Sequence, residues 1–230
     1  MHAIDKIYTD HPYYGSRRMT VMLNRMEYFV NRKRVQRLME NMGISAIYPG
    51  PNLSKRRKDH AVFPYLLRNL AIDRVNQVWG VDVTFLRLLA GFAYLVAFID
   101  WFSRYVLSFA ISTTPDNQFC IAALKDALRI GKAEICNSDQ GSQFTSLPFI
   151  TCLQAASIKI SMDGRGRALD NVFTERLWRS VKYEDVYLKD YNTPNESFQG
   201  LTAYFRFYNY ERPHQSLNYK TPAEVFYAGR

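Results

Sequence analysis

The sequence lacks any apolar run long enough to cross a bilayer. Its longest run, from Leu88 to Ile99, has 12 residues and contains a glycine, whereas a membrane-spanning helix needs about 20 apolar residues. The amino-terminal residues also lack the charged-then-apolar pattern of a secretory signal. Both absences predict a cytoplasmic protein with no membrane partner.

Cysteine is scarce as well. Cys120, Cys136 and Cys152 are odd in number, and none belongs to a CxxC pair. The sequence therefore predicts neither a disulfide framework nor a zinc site, and it fits a reducing compartment.

Positive charge is abundant and unevenly distributed. The chain has 230 residues, 47% of them hydrophobic, and a net charge of +9, which suits one sizeable core with a small extra module. Residues 1–68 carry 13 Lys and Arg against 5 Asp and Glu, while residues 69–230 carry 17 against 16. This asymmetry indicates a polyanionic partner, nucleic acid before a membrane surface, with a solubilising surface as the alternative.

The first 45 residues predict a helix-turn-helix module. One helix runs from His2 to Thr9, a second has Ser16 as its N-cap, and a third starts at Asn31 and stops at Gly43. A helix with a basic outward face suits the DNA major groove, although a small bundle with a solvated basic face has the same pattern. That face carries Arg32, Lys33, Arg34 and Arg37.

Residues 46–72 read as a basic linker. The segment contains two structure-breaking prolines in "YPGPN" and the run "SKRRK", which includes Arg56 and Arg57. We predict that these arginines contact DNA phosphates. The alternative is that the segment is a plain flexible linker.

Residues 73–230 predict a mixed α/β sheet flanked by helices, because three strands come in succession and later strands alternate with helices. The predicted strands are Val78–Leu86, Phe92–Ile99, Tyr105–Ile111, Ala133–Asn137 and Ile158–Ser161. The predicted helices are Asp116–Ile130, Leu147–Ala156, about Asp170 to Tyr183 and about Glu196 to Tyr210. We expect Asn171, or else Asp170, to cap the third of these helices. "ERPH" is expected to form a packing corner around Pro213.

Two aspartates stand at unusual places in these strands. Asp82 interrupts the apolar strand "VWGVDVTFL", and burying its charge requires compensation by a cation or by backbone hydrogen bonds. Asp139 follows the fourth strand in "NSDQGSQFTS", at the sheet edge where such folds place ligands. An Asx turn is the alternative there.

A third carboxylate, Glu175, lies on a predicted helix. Arg179 and Lys182 follow it at i+4 and i+7, which predicts a metal ligand with phosphate-binding cations beside it, or a surface salt-bridge face. Three carboxylates without Cys or His favour Mg²⁺ or Mn²⁺ over zinc. Two such ions suit phosphodiester chemistry.

The spacing carries a family resemblance. Thirty-five residues separate Asp139 from Glu175, as in the D,D-35-E signature of retroviral integrases and of one large family of insertion-sequence transposases. "NQVWGVDVTF", "YLVAFIDWFSRYVLSF", "ISMDGRGRALDNVFTERLWRSVKYE" and "FYNYERPHQSLNYKTPAEVF" resemble the OrfB subunit of those transposases. "YYGSRRMTVML" and "VNRKRVQRLMENMGI" are similar to its helix-turn-helix.

The resemblance implies a ribonuclease-H-like core in a bacterial protein that acts at the nucleoid. It implies that Asp82, Asp139 and Glu175 hold two divalent ions, and that Lys182 and Arg179 contact DNA. The implied partners are element ends and target DNA, an upstream OrfA-type DNA-binding subunit, and further copies of the chain.

The function that this implies is metal-dependent DNA cleavage and strand transfer. Only fourteen residues precede Gly15, fewer than in OrfB chains, which suggests a truncated copy or the downstream part of a frameshift fusion. A catalytically silent DNA-binding relic or regulator is therefore the alternative, and a simple ribonuclease-H-like nuclease is a third.

Overall fold

The chain divides into two units in a computed structural model that describes residues 1–47, 62–89, 91–164 and 171–229. The units are Met1–Arg56 and Arg57–Arg230. The predicted phosphate contacts Arg56 and Arg57, and the alternative cap Asp170, lie outside the described residues.

The first unit is a three-helix module: α1 (His2–Asp10), α2 (Ser16–Arg25) and α3 (Arg32–Asn41). Its apolar core consists of Ile4, Ile7, Met19, Leu23, Val35 and Met39. Asn31 caps α3 as predicted, because its side chain accepts a hydrogen bond from the Arg34 amide. The Ser16 cap was wrong: Gly15 holds that position in extended backbone, and the Ser16 hydroxyl accepts from Arg32 Nε.

The second unit is built on a five-stranded mixed sheet, as predicted. Its strands are β1 (Val78–Leu88), β2 (Gly91–Asp100), β3 (Val106–Ser112), β4 (Ile135–Ser138) and β5 (Lys159–Met162). They lie in the order β3-β2-β1-β4-β5. The first three strands pair antiparallel, whereas β4 runs parallel to both β1 and β5.

Helices cover both faces of this sheet. They are α4 (Gln118–Ile130), α5 (Leu147–Ala155), α6 (Val172–Val181), α7 (Tyr187–Lys189), α8 (Pro194–Tyr210) and α9 (Pro222–Ala228), with a π-helical turn at Lys182–Val186. The core of one face joins β1 and β2 to α4, α5 and α9. The core of the other face joins the same strands to α6 and α8.

The side chains of β1 alternate between these two cores. Trp79 and Val81 pack into the α4–α5 face, whereas Val78 and Leu86 pack into the α6–α8 face. Because successive strand residues point to opposite faces, Asp82 belongs to the face that carries α6.

The sequence did not predict α7 or α9. Helix α9 is short, but it starts with a complete capping box in which Thr221 and Glu224 satisfy each other's backbone amides. Pairs of this kind mark a helix start in a sequence.

Candidate active site

Asp82 and Asp139 come together through the pairing of β1 with β4. The parallel register sets Gly80 against Asn137, and two residues further along each strand lie Asp82 and Asp139. Equal steps in a parallel register keep both side chains on one face. The two aspartates therefore come near each other past the carboxyl end of β4, close enough for the charge of Asp139 to act on Asp82.

The loop after β4 turns sharply beside Asp139. The Gly141 amide donates to Asp139 Oδ1 at 2.9 Å, which makes this an Asx turn. A Cβ on Gly141 would stand 2.8 Å from the same oxygen. The turn and the ligand hypothesis are compatible, because only one carboxylate oxygen makes this contact.

Helix α6 carries Glu175 to the same face. Trp178 Nε1 donates to Asp82 Oδ2 at 2.9 Å, and Glu175 precedes Trp178 by three residues, on the same flank of the helix. Trp178 is buried while Glu175 is exposed. The indole therefore anchors α6 on β1 and leaves the Glu175 carboxylate on the open side.

The electrostatics of Asp82 reflect this arrangement. Burial raises the pKa of Asp82 to about 6, the hydrogen bond from Trp178 acts against it, and the charges of Asp139 and Glu175 push the pKa further up. Burial also raises the pKa of Asp139, against the hydrogen bond from Gly141. A cation would relieve both effects.

The donor set suits a hard divalent cation, since all three side chains offer carboxylate oxygens. Within the described residues, no three His, Cys, Asp or Glu side chains are close enough together to hold one ion. The structure thus brings the three carboxylates into electrostatic contact without closing them to ligand distances.

The two predicted cations after Glu175 do not pair with it. Arg179 is exposed and its guanidinium lies 5.9 Å from the Tyr183 ring centroid. Lys182 is half-buried at the start of the π-helical turn. Neither forms an ion pair in the part of the chain that the structure describes, so this face is not a salt-bridge ladder.

The predicted DNA-binding cations of the first unit are all exposed on α3. The four residues are Arg32, Lys33, Arg34 and Arg37. None of them has an acidic partner among the residues described. Their charge is therefore available to an anionic ligand.

Two features of the site region were missed by the sequence analysis. Trp178 is the partner of Asp82, and its position one turn after Glu175 was the available signal. The "ERPH" corner is held by Arg212, which binds Glu184 through Nε at 2.7 Å and Nη2 at 2.6 Å.

Pro213 is exposed, so the packing role expected for it was wrong. Asn171 starts α6, but it accepts from the Thr174 hydroxyl and caps no backbone amide.

No helix in the described residues is long and apolar enough to cross a membrane.

Comparison with solved structures identifies the fold. The HTLV-2 integrase catalytic core domain, solved with magnesium, is similar over 66% of this chain and 97% of its own, with TM-score 0.54 and 23% identity. A chain of the simian T-cell lymphotropic virus intasome is similar over 99% of this chain and 75% of its own, with TM-score 0.60 and 16% identity. The second unit therefore has the ribonuclease-H-like fold of integrase cores, as expected.

Sequence comparisons define the family. Residues 73–168 and 156–222 match the integrase core domain, and residues 1–52 match an HTH-like domain. The putative transposase InsK of element IS150 from Escherichia coli is 32% identical over 216 residues, 92% of this chain and 76% of that protein. The IS629 transposase of Shigella sonnei is 28% identical over 227 residues, 96% of this chain and 77% of that protein. The chain belongs to the insertion-sequence transposases that carry an integrase core domain.

Proposed function

We propose that this protein is the catalytic subunit of a transposase, which cleaves DNA at the ends of its element and joins them to a target. Water attacks a phosphodiester and frees a 3′-OH, and that hydroxyl then attacks another strand by direct transesterification. The observation that supports the proposal is that the charges of Asp139 and Glu175 both act on Asp82, as the parallel pairing of β1 with β4 predicts.

Asp82, Asp139 and Glu175 are the residues that would hold the ions. Two Mg²⁺ or Mn²⁺ ions, when bound, supply charge stabilisation for the attacking and leaving oxygens of an in-line displacement. The pKa of Asp82, raised first by burial and then by the charges of Asp139 and Glu175, fits this role, since a bound cation would stabilise the ionised carboxylate.

The remaining residues position these groups and the DNA. Trp178 fixes one oxygen of Asp82, and Gly141 fixes one oxygen of Asp139. Arg179 near the end of α6 and Lys182 at the start of the π-helical turn offer positive charge for a phosphate near the reacting one. In the first unit, the exposed cations of α3 would dock on the element's DNA. Arg56 and Arg57 would contact its phosphates.

The proposal is tested by Asp139→Asn, which keeps the size of the side chain and removes its charge. Strand transfer of a labelled element end in Mg²⁺ should fall by at least about 100-fold, because the charge that holds the cation is lost. Gel-shift affinity for the same DNA should change little, and the thermal melt should show a folded protein.

Asp126→Asn, at an exposed carboxylate on α4, is the matched control and should leave strand transfer unchanged. Equal strand transfer by Asp139→Asn and the wild type would remove Asp139 from the mechanism. A wild type that binds DNA but neither cleaves nor joins it, with an OrfA-type subunit supplied, would instead identify a silent DNA-binding relic.

A further inference from the structure

A concave surface lies on the flank of α6 that faces away from Glu175. A cleft of about 640 Å³ lies between this flank, which includes Phe173 and Arg176, and the segment from Arg212 to Tyr219. A neighbouring cleft of about 430 Å³ shares Arg104, Phe173 and Ser216 with it and extends to Lys220. We call these two clefts together the basic groove.

The basic groove has free positive charge. No Asp or Glu is among the described residues that line either cleft. Arg176 and Lys220 are exposed, and their side chains form no ion pair within the described part of the chain. Arg212 differs, because Glu184 holds it in a two-pronged ion pair that neutralises it.

Arg104 adds a partly buried charge where the two clefts meet. Its guanidinium carbon lies 3.6 Å from the centroid of the Phe173 ring. Its Nη1 is buried and has no hydrogen-bond partner among the described residues. Burial lowers the pKa of Arg104 to about 10. A buried guanidinium nitrogen left unpaired carries a desolvation cost that an anion would offset.

We propose that the basic groove binds the phosphate backbone of a DNA strand. Its cations are spread over two adjoining clefts, as a chain of regularly spaced phosphates requires, and no acidic side chain opposes them. The groove and the Glu175 flank are separated by the width of one helix, about 10–12 Å. That width corresponds to about three steps of 3.4 Å along a strand, so a strand held at the carboxylates is long enough to reach the groove within a few nucleotides. This inference rests on the proposed function.

The test compares two double substitutions in the full-length chain. Arg176→Gln with Lys220→Gln removes two groove charges. Lys125→Gln with Lys132→Gln removes two exposed charges at α4 and just after it, likewise unpaired among the described residues, where neither side chain lines a cleft. Binding of a labelled DNA duplex is measured over a range of NaCl concentrations. The groove variant should lose about 1.8 from the magnitude of the log K against log salt slope, at roughly 0.9 per phosphate contact.

The control variant should keep the wild-type slope. Arg176→Lys with Lys220→Arg, which keeps both groove charges, should also keep it. An unchanged slope in the groove variant would overturn the proposal and would favour an acidic protein segment as the occupant. An equal loss in both Gln variants would also overturn it, because net charge alone would then explain the slope. Binding is measured without catalysis. A groove-dependent slope in a protein that joins no strands, even with an OrfA-type subunit supplied, would therefore contradict the proposed function and leave this inference standing.

Discussion

The indole Nε1 of Trp178 donates a 2.9 Å hydrogen bond to Oδ2 of Asp82, and this bond joins α6 to the middle of β1. The two residues are 96 positions apart in the chain. Trp178 also packs in the core between the sheet and α8. The position of Glu175 over the sheet therefore depends on this hydrogen bond, because the charges of Asp82 and Glu175 repel each other.

Trp178→Phe should weaken the attachment of α6 to β1. The change keeps an aromatic ring in the core but removes the only side-chain donor to Asp82 among the described residues. A hydrogen bond to a charged group is worth about 1.5–3 kcal/mol, so urea unfolding should report a loss of that order. Strand transfer should fall with it.

Trp101→Phe is the matched control for this prediction. Trp101 is equally buried, but its Nε1 has no partner within the described residues, so the substitution removes volume and no hydrogen bond. If both variants lost the same stability, the Trp178 bond would contribute nothing beyond packing.

Gly80→Ala should displace α6 by a different route. An added Cβ would stand 2.2 Å from Trp101 Nε1 and 2.7 Å from Thr174 Oγ1, and Thr174 is the residue before Glu175. Overpacking of this kind costs about 1–3 kcal/mol, and we expect strand transfer to fall as well. Adding Trp101→Phe removes the nearest clashing atom and should recover part of the stability; wild-type behaviour of Gly80→Ala alone would contradict the close packing described.

Neutralising the α3 cations should lower the salt dependence of DNA binding. Lys33→Gln, Arg34→Gln and Arg37→Gln together remove three exposed charges, so the slope of log K against log salt should fall by up to about 2.7, at roughly 0.9 per phosphate. Stability should hold, because none of the three side chains is buried. A slope equal to that of the wild type would show that these three α3 side chains do not contact DNA phosphates.

His214 should make stability fall in mild acid. Burial and the nearby Arg212 lower its pKa to about 4 from 6.5, Glu184 acts against them, and Arg104 adds to them. Arg212 Nη1 donates to His214 Nε2 at 3.2 Å, and the ring lies edge-on to Tyr208, so the folded protein favours the neutral imidazole. The unfolded chain takes up a proton below pH 6.5 more readily than the folded one, and unfolding free energy is lost as pH falls from about 6.5 to 4.

Denaturant unfolding at pH 7 and pH 5 measures this effect. Since His214 is only half-buried, we expect a loss of about 1 kcal/mol after solvent screening is allowed for. His214→Gln should lose less than the wild type over the same interval. Comparing His214→Gln with the wild type cancels the contribution of carboxylates such as Asp100. Burial raises the pKa of Asp100, so this group adds stability as pH falls, opposite to His214. Identical pH profiles would remove His214 as the cause.

The elements of the second unit could be predicted largely from local patterns. Strands β1 and β2 follow runs of β-branched and aromatic residues, and α4 follows the spacing of its buried side chains. The order of three strands followed by alternating helices and strands also determined the mixed sheet. A capping residue such as Asn31, at the start of α3, could be predicted directly from the sequence, because it bonds to a backbone amide only three residues away.

Sequence alone determined which residues have the chemistry for a metal site, because an aspartate in an apolar strand and a fixed spacing to Glu175 are visible in one dimension. Only the tertiary structure decided what surrounds them. The Gly80–Asn137 register, the Trp178 bond to Asp82 and the meeting of Arg104, Arg176 and Lys220 in one groove join residues far apart in the chain. Such contacts follow from the packing of α6 on the sheet, and no local propensity or periodicity encodes them.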